Sequence, residues 1–165
     1  MTTRGKRVTR ASAGLAAVLF VAFASLAMAA EVTRGEYKEA VEPICKANTE
    51  ANEKILSGVR AEVKQGKLKP AAVKFEKAAK ALQATHRELA AVPQPSADEA
   101  TLEKWLGYVK TEAELFKRAA KALKEGNKNK AERYVVRLTH NATLANATVL
   151  SFGFHYCKLQ PSKFT

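Results

Sequence analysis

The last helix-length stretch of the chain, 131–157 (AERYVVRLTHNATLANATVLSFGFHYC), follows a strict spacing of alternating fours and threes. The residues met are Ala131, Val135, Leu138, Ala142, Ala145, Val149, Phe152 and Tyr156, and all of them are apolar or aromatic. A stripe with that period marks a helix with one face turned to a core, and such a helix needs partners. Three earlier stretches supply them. The first carries Tyr37, Val41, Ile44, Asn48, Ala51, Ile55, Val59 and Val63. The second carries Phe75, Ala79 (beside Ala78), Leu82, His86 and Leu89. The third carries Leu102, Leu106 (beside Trp105), Val109, Ala113, Phe116, Ala120 and Leu123. No run alternates apolar and polar residues for long enough to form a strand, so the expected class is all-α.

Local signals place the helix ends at about 34–65, 70–92, 97–125 and 129–153. Thr33 and Glu36 have the spacing of a capping box, and Ser96 with Glu99 repeats it. Pro43 leaves two options for the first helix. Either it kinks there, or it starts there after a separate short turn over 33–42. Gly66 ends the first helix, Pro70 suits the first turn of the second, and Val92-Pro93-Gln94-Pro95 stops the second. Gly126 ends the third. Connections this short make neighbouring helices antiparallel, which gives an up-down-up-down four-helix bundle over 30–165. In that topology the last helix returns to where the first began. Cys45 and Cys157 therefore fall at the same end and are expected to form a disulfide. If the first helix starts at Thr33 their levels differ by a few residues, which a break at Gly153 could absorb by turning the tail back; if it starts at Pro43, Cys45 is already in the first turn.

The segment 1–29 reads as a signal peptide. Arg4, Lys6, Arg7 and Arg10 give a basic start, 14–26 is apolar, and Ala27-Met28-Ala29 is a small-x-small cleavage signal. The apolar run is shorter than the roughly 20 residues a spanning helix needs. No cysteine follows it to carry a lipid, and no Arg-Arg pair marks the twin-arginine route. A secreted or extracytoplasmic location is expected, with no transmembrane span in the mature chain. Two cysteines in an exported chain fit a structural bridge better than a redox role, since no Cys-x-x-Cys occurs.

Catalytic signatures are sparse. There is no Gly-x-Ser-x-Gly, no Glu-x-x-His, no His-Glu-x-x-His and no Cys-x-x-Cys-His, and Asp98 is the only aspartate. Glutamates on the first and third helices are read as pointing away from the apolar stripes. The chain is expected to be non-catalytic and to carry no cofactor. The alternative is a haem- or metal-binding bundle using His86, on the second helix's stripe, with His155. Against it, a histidine at a core edge is ordinarily satisfied by a carbonyl or by a neighbour such as Asn48. Asn48, Asn52, Asn141 and Asn146 recur at helical spacing near the seams of the first and fourth helices. They are read as an inter-helix polar network that fixes register, with a small-ligand pocket between those helices as the other reading.

Charge is unevenly spread. Removing the four basic residues of the leader from the formal net charge of +12 leaves +8. The segment 60–80 holds seven basic and two acidic residues, and 117–137 holds eight and two. Both surround connections at one end of the bundle. Lys64, Lys67, Lys69, Lys124, Lys128, Lys130 and Arg133 are therefore candidate anion-binding residues, facing an anionic surface or polymer of the cell envelope. Asp98, Glu99 and Glu103 mark the other end. Aromatic residues are not interleaved with the basic ones, so sequence-specific nucleic-acid binding is not expected.

Pro43-Ile44-Cys45-Lys46-Ala47-Asn48, Ala145-Asn146 and the ending Phe152-Gly153-Phe154-His155-Tyr156-Cys157 resemble a family of small exported helical-bundle proteins of actinobacteria. The likeness spans most of the mature chain. It implies a disulfide-closed bundle outside the cytoplasm and supplies no catalytic residues.

Overall fold

A computed structural model describes Met1 and residues 31–161; the rest of the expected signal peptide, 2–29, lies outside the described residues. Among the described residues there are four long helices and no strand. Helix α1 spans Arg34–Leu56, and a short α2, Val59–Lys64, continues it after a break. Helices α3 (Leu68–Ala90), α4 (Glu99–Lys124) and α5 (Lys128–Thr148) follow, with 3-10 turns at Ser96–Asp98 and Leu150–Phe152. The all-α, up-down-up-down four-helix bundle is what the structure shows.

Helix α1 begins where its capping box places it: Thr33 accepts from the Glu36 amide, and Glu36 reaches back to the Thr33 amide. It runs through Pro43 without starting there. The proline leaves the Glu39 carbonyl without its helical donor. Both residues are exposed, so water can take that place. The break comes instead at Ser57-Gly58. Gly58 holds φ +74°, a left-handed conformation that would cost an L side chain about 1–2 kcal/mol. Lys74 of α3 secures the break by donating to the Ser57 carbonyl at 2.7 Å and pairing with Glu62 of α2 at 2.6 Å. The second expected capping box does not form. Ser96 donates its hydroxyl to Glu31, while Asp98 pairs with the Arg34 guanidinium through both oxygens. These contacts tie the α3–α4 connection to the start of α1.

Helix α3 packs on α4 as the heart of the fold, with α1 against α3 and α5 against α4. Buried alanines (Ala71, Ala72, Ala78 and Ala79 on α3; Ala113, Ala119 and Ala120 on α4) line the inner faces of these helices. The larger side chains, including Phe75 and Phe116 with ring centroids 5.6 Å apart, fill the space between. The fourth edge, between α5 and α1, is closed differently: the chain beyond α5 covers it.

Helix α5 ends at Thr148, short of the expected 153, and Gly153 at φ +58° turns the chain back. Phe152 and Phe154 then enter the core, stacked on each other and meeting Tyr37 of α1 and Trp105 of α4 respectively. Tyr156, the expected last member of the stripe, is 36 % exposed, and Phe154, 2 % exposed, takes the buried position. Because the tail is not helical, the helical count fails there. The tail is fixed at several points. Cys157 bridges Cys45 across 112 residues of chain. Glu42 accepts from the His155 and Tyr156 amides, and Lys38 donates to the Gly153 carbonyl. Asn146 both donates to and accepts from the Leu159 backbone.

Candidate functional site

Beneath this strap lies a cavity of about 300 Å³, walled by α1, α3, α4 and the tail. Its outer rim carries the exposed residues Glu50, Glu53, Lys158 and Gln160, and its inner wall is Leu82, Leu89, Trp105, Val109 and Phe116. That size sits at the lower end of the range for small-molecule sites; the inner wall is largely apolar, and polar side chains make up most of the rest of the lining.

The polar groups are what distinguish it. Glu112 of α4 lines the cavity, is 4 % exposed, and its Oε2 has no hydrogen-bond partner among the described residues. Burial pushes its carboxyl up to about 8 from the ordinary 4.5, because the charged form loses water and gains no counter-charge. The Trp105 indole N–H and the Asn52 side-chain oxygen, also in the lining, are buried and unpartnered too. A buried polar group without a partner costs on the order of 1–3 kcal/mol, so three around one space are a costly arrangement for an interior that only has to fold.

Glu112 is the site residue that the stripe count misses. Leu102, Trp105, Val109, Glu112, Phe116, Ala119 and Leu123 follow the same threes-and-fours spacing, are all buried, and form a second rail beside the one through Leu106, Ala113 and Ala120. The glutamate on that rail was the available signal. The same holds on α3, where the buried position is Thr85 and not His86. His86 is half-buried, and its ring is held below the ordinary histidine range by desolvation and then by Lys110 and Arg87. His155 is exposed on the rim of the cavity, whose lining does not include His86. Among the described residues, no group of three or more His, Cys, Asp or Glu side chains is placed to hold a metal ion.

The four asparagines work locally rather than as one network. Asn52 donates to Asn48 within α1 at 3.0 Å, and both line the cavity. Asn141 of α5 donates to the Tyr108 carbonyl of α4, one turn before Glu112. Asn146 holds the tail. The other reading, a small-ligand pocket between the first and fourth helices, is displaced: α1 contributes to the cavity, and its other walls are α3, α4 and the tail.

The basic residues gather as the topology requires. The antiparallel pairing of α3 with α4, marked by Gln83 to Glu114 and Glu76 to Lys124, sets the start of α3 level with the α4–α5 turn. Three of the seven candidates are engaged: Lys124 with Glu76 at 2.5 Å, Lys128 with Glu132 at 3.8 Å, and Lys130 with Glu125 at 3.7 Å. Lys64, Lys67, Lys69 and Arg133 are exposed, with no ion pair among the described residues. At the opposite end, Asp98 is neutralised by Arg34, which holds its carboxyl below the usual carboxylate range. Among the described residues, no helix is long and apolar enough to cross a membrane.

Comparison with known proteins finds no matching family model, no similar curated protein and no similar solved structure.

Proposed function

We propose that this chain is an exported, non-catalytic binding module whose interior cavity takes a small molecule. The observation that carries this reading is Glu112: a carboxyl that is 4 % exposed, unpartnered, and set in the wall of a cavity that opens to the surface. A core under selection for stability alone is better served by an apolar residue there. The disulfide and the leader's pattern support work outside the cytoplasm. Trp105 is the only tryptophan in the sequence and lines the cavity, so its emission reports directly on occupancy. Titration with small aromatic fragments should shift Trp105 emission in a saturable way. Thr85→Phe, which fills the cavity from the α3 side, should remove the shift while helical content stays intact. Failure of every fragment to perturb Trp105 would refute the reading.

A second reading concerns the basic end, and four exposed cations with no ion pair among the described residues favour it. Lys64, Lys67, Lys69 and Arg133 surround two adjacent connections and form one patch for an anionic envelope polymer or surface. The two readings are compatible, because the cavity and the patch occupy different parts of the bundle.

A further inference from the structure

We infer that the cavity's ligand is a small organic cation, with an ammonium group seated on the Glu112 carboxylate and an apolar body against Trp105 and Phe116. This rests on the cavity being a binding site and adds the chemistry it selects. The unpartnered groups define the match. Glu112 Oε2 and the Asn52 side-chain oxygen are acceptors, and the Trp105 indole N–H is the one donor. A primary ammonium brings three donors and a full positive charge. An acceptor on the same molecule, such as a hydroxyl or carbonyl, would satisfy the indole. The aromatic wall favours the same class, because a cation over an aromatic face gains about 0.5–2 kcal/mol as it is desolvated. The surroundings leave the charge for the ligand to supply. Within the lining, α1 offers Glu50 and Glu53, both acidic; α3 offers Leu82, Thr85 and Leu89, none of which titrates; and Glu112 is α4's only charged group. The tail offers Tyr156, His155 and Lys158, each on its exposed side. The Lys46 ammonium lies over the Tyr156 ring at 5.5 Å, and Lys46 is not part of the lining.

Binding of such a cation is tied to a proton. Without ligand the buried carboxyl is protonated at neutral pH, because its ionisation is pushed up to about 8. Seating an ammonium ion requires the carboxylate, so the Glu112 proton leaves to the buffer as the ligand enters. Affinity therefore rises with pH, about tenfold per unit between pH 5.5 and 7.5, and flattens above about 8.

The test compares phenethylamine with phenethyl alcohol, two probes of nearly equal shape that differ in the charged nitrogen. Trp105 fluorescence gives their affinities across pH 5.5 to 8.5. Calorimetry in two buffers of different ionisation enthalpy counts protons released. The expected result at pH 8 is roughly a tenfold or greater preference for the amine. Near one proton should be released per amine at pH 6.5 and none for the alcohol, and Glu112→Gln should erase both the preference and the release. Equal affinity of amine and alcohol with no proton release would overturn the cation inference and leave the cavity reading standing. Failure of both probes, together with every other fragment, would overturn both.

Discussion

Replacing Glu112 with glutamine removes a titrating group from the interior while keeping the shape of the side chain, and its effect on stability should depend on pH in one direction only. The folded carboxyl is held at about 8, whereas the unfolded chain ionises near 4.5. Below about pH 4.5 both states are protonated, and Glu112 contributes no pH-dependent term. As pH rises from there, the unfolded chain gives up its proton and the folded one keeps it, so wild-type stability falls. The loss continues until the folded carboxyl itself ionises near 8. Glutamine does not titrate, and the remaining groups are common to both proteins. The stability difference, variant minus wild type, should therefore grow by about 1.4 kcal/mol per pH unit between roughly pH 5 and 8. At pH 7 it should reach on the order of 3 kcal/mol, a large share of the 5–15 kcal/mol typical of a domain. The amide's own hydrogens add an offset that does not vary with pH. Urea denaturation of both proteins at half-unit steps from pH 4.5 to 8.5 measures the difference directly. Parallel stability profiles would show that Glu112 is solvated or paired in solution, and would remove the chemical basis for the cavity reading.

Three further outcomes follow from other parts of the molecule. Intact mass should show two hydrogens fewer than in the fully reduced chain, and Cys157→Ser should lower Tm with helical content at low temperature unchanged. For a bridge spanning 112 residues the chain-entropy estimate is about 4–5 kcal/mol, read by chemical denaturation. Gly153→Ala should cost about 1–2 kcal/mol, because φ +58° is left-handed, while the added Cβ would make only an ordinary contact with the Lys38 side chain. At the basic end, reversing Lys64, Lys67, Lys69 and Arg133 to glutamate should abolish salt-sensitive binding to anionic vesicles. Reversing the exposed Lys46, Arg87, Lys104 and Lys110 should do much less, and equal losses from the two sets would mean that net charge alone governs binding.

Much of the architecture was legible because it depends on periodicity and punctuation. The four helices, the Thr33 cap, Pro70, the Pro93/Pro95 stop and Gly126 depend on period and local sterics, and the structure keeps each of them. The shared end of Cys45 and Cys157 followed from the parity of antiparallel helices. What was not legible depends on tertiary contacts. Helix α1 buries Tyr37 and Val41 as expected and then Cys45, Asn52 and Leu56 in place of Ile44, Asn48, Ala51 and Ile55. Over that stretch its inner face is set one residue on, and that face carries Cys45 to the bridge. Helix α4 packs on both α3 and α5, so its buried face is wide enough for two rails, and a count that follows one rail passes over Glu112. Thr85 and His86 differ by one position, and only the packing of α3 against α4 decides which side chain faces the cavity. Glutamates are usually exposed, and only its place on the second rail sets Glu112 apart from Glu103 and Glu114.

The cavity and the strap have one origin. In a bundle whose four helices close a square, knobs from each edge fill the centre, and a buried glutamate has nowhere to go. Here α5 stops at Thr148, and the edge between α5 and α1 is bridged by a non-helical segment that seals it with aromatic rings near the end of the bundle where α1 begins. Further along α1 the cover is thinner. Past Cys157 the tail swings back to Asn146 on α5, and the rim is left to Glu50 and Glu53 on one side and Lys158 and Gln160 on the other. The contacts that hold the tail (the Cys45 bridge, the Glu42 carboxylate and the Asn146 amide) thus also define one wall of the cavity. Two of them, Glu42 and Asn146, pair with backbone groups rather than side chains. The wall's position is therefore fixed by main-chain geometry, and the side chains of His155, Tyr156, Lys158 and Gln160 are free of that structural duty at the mouth of the site.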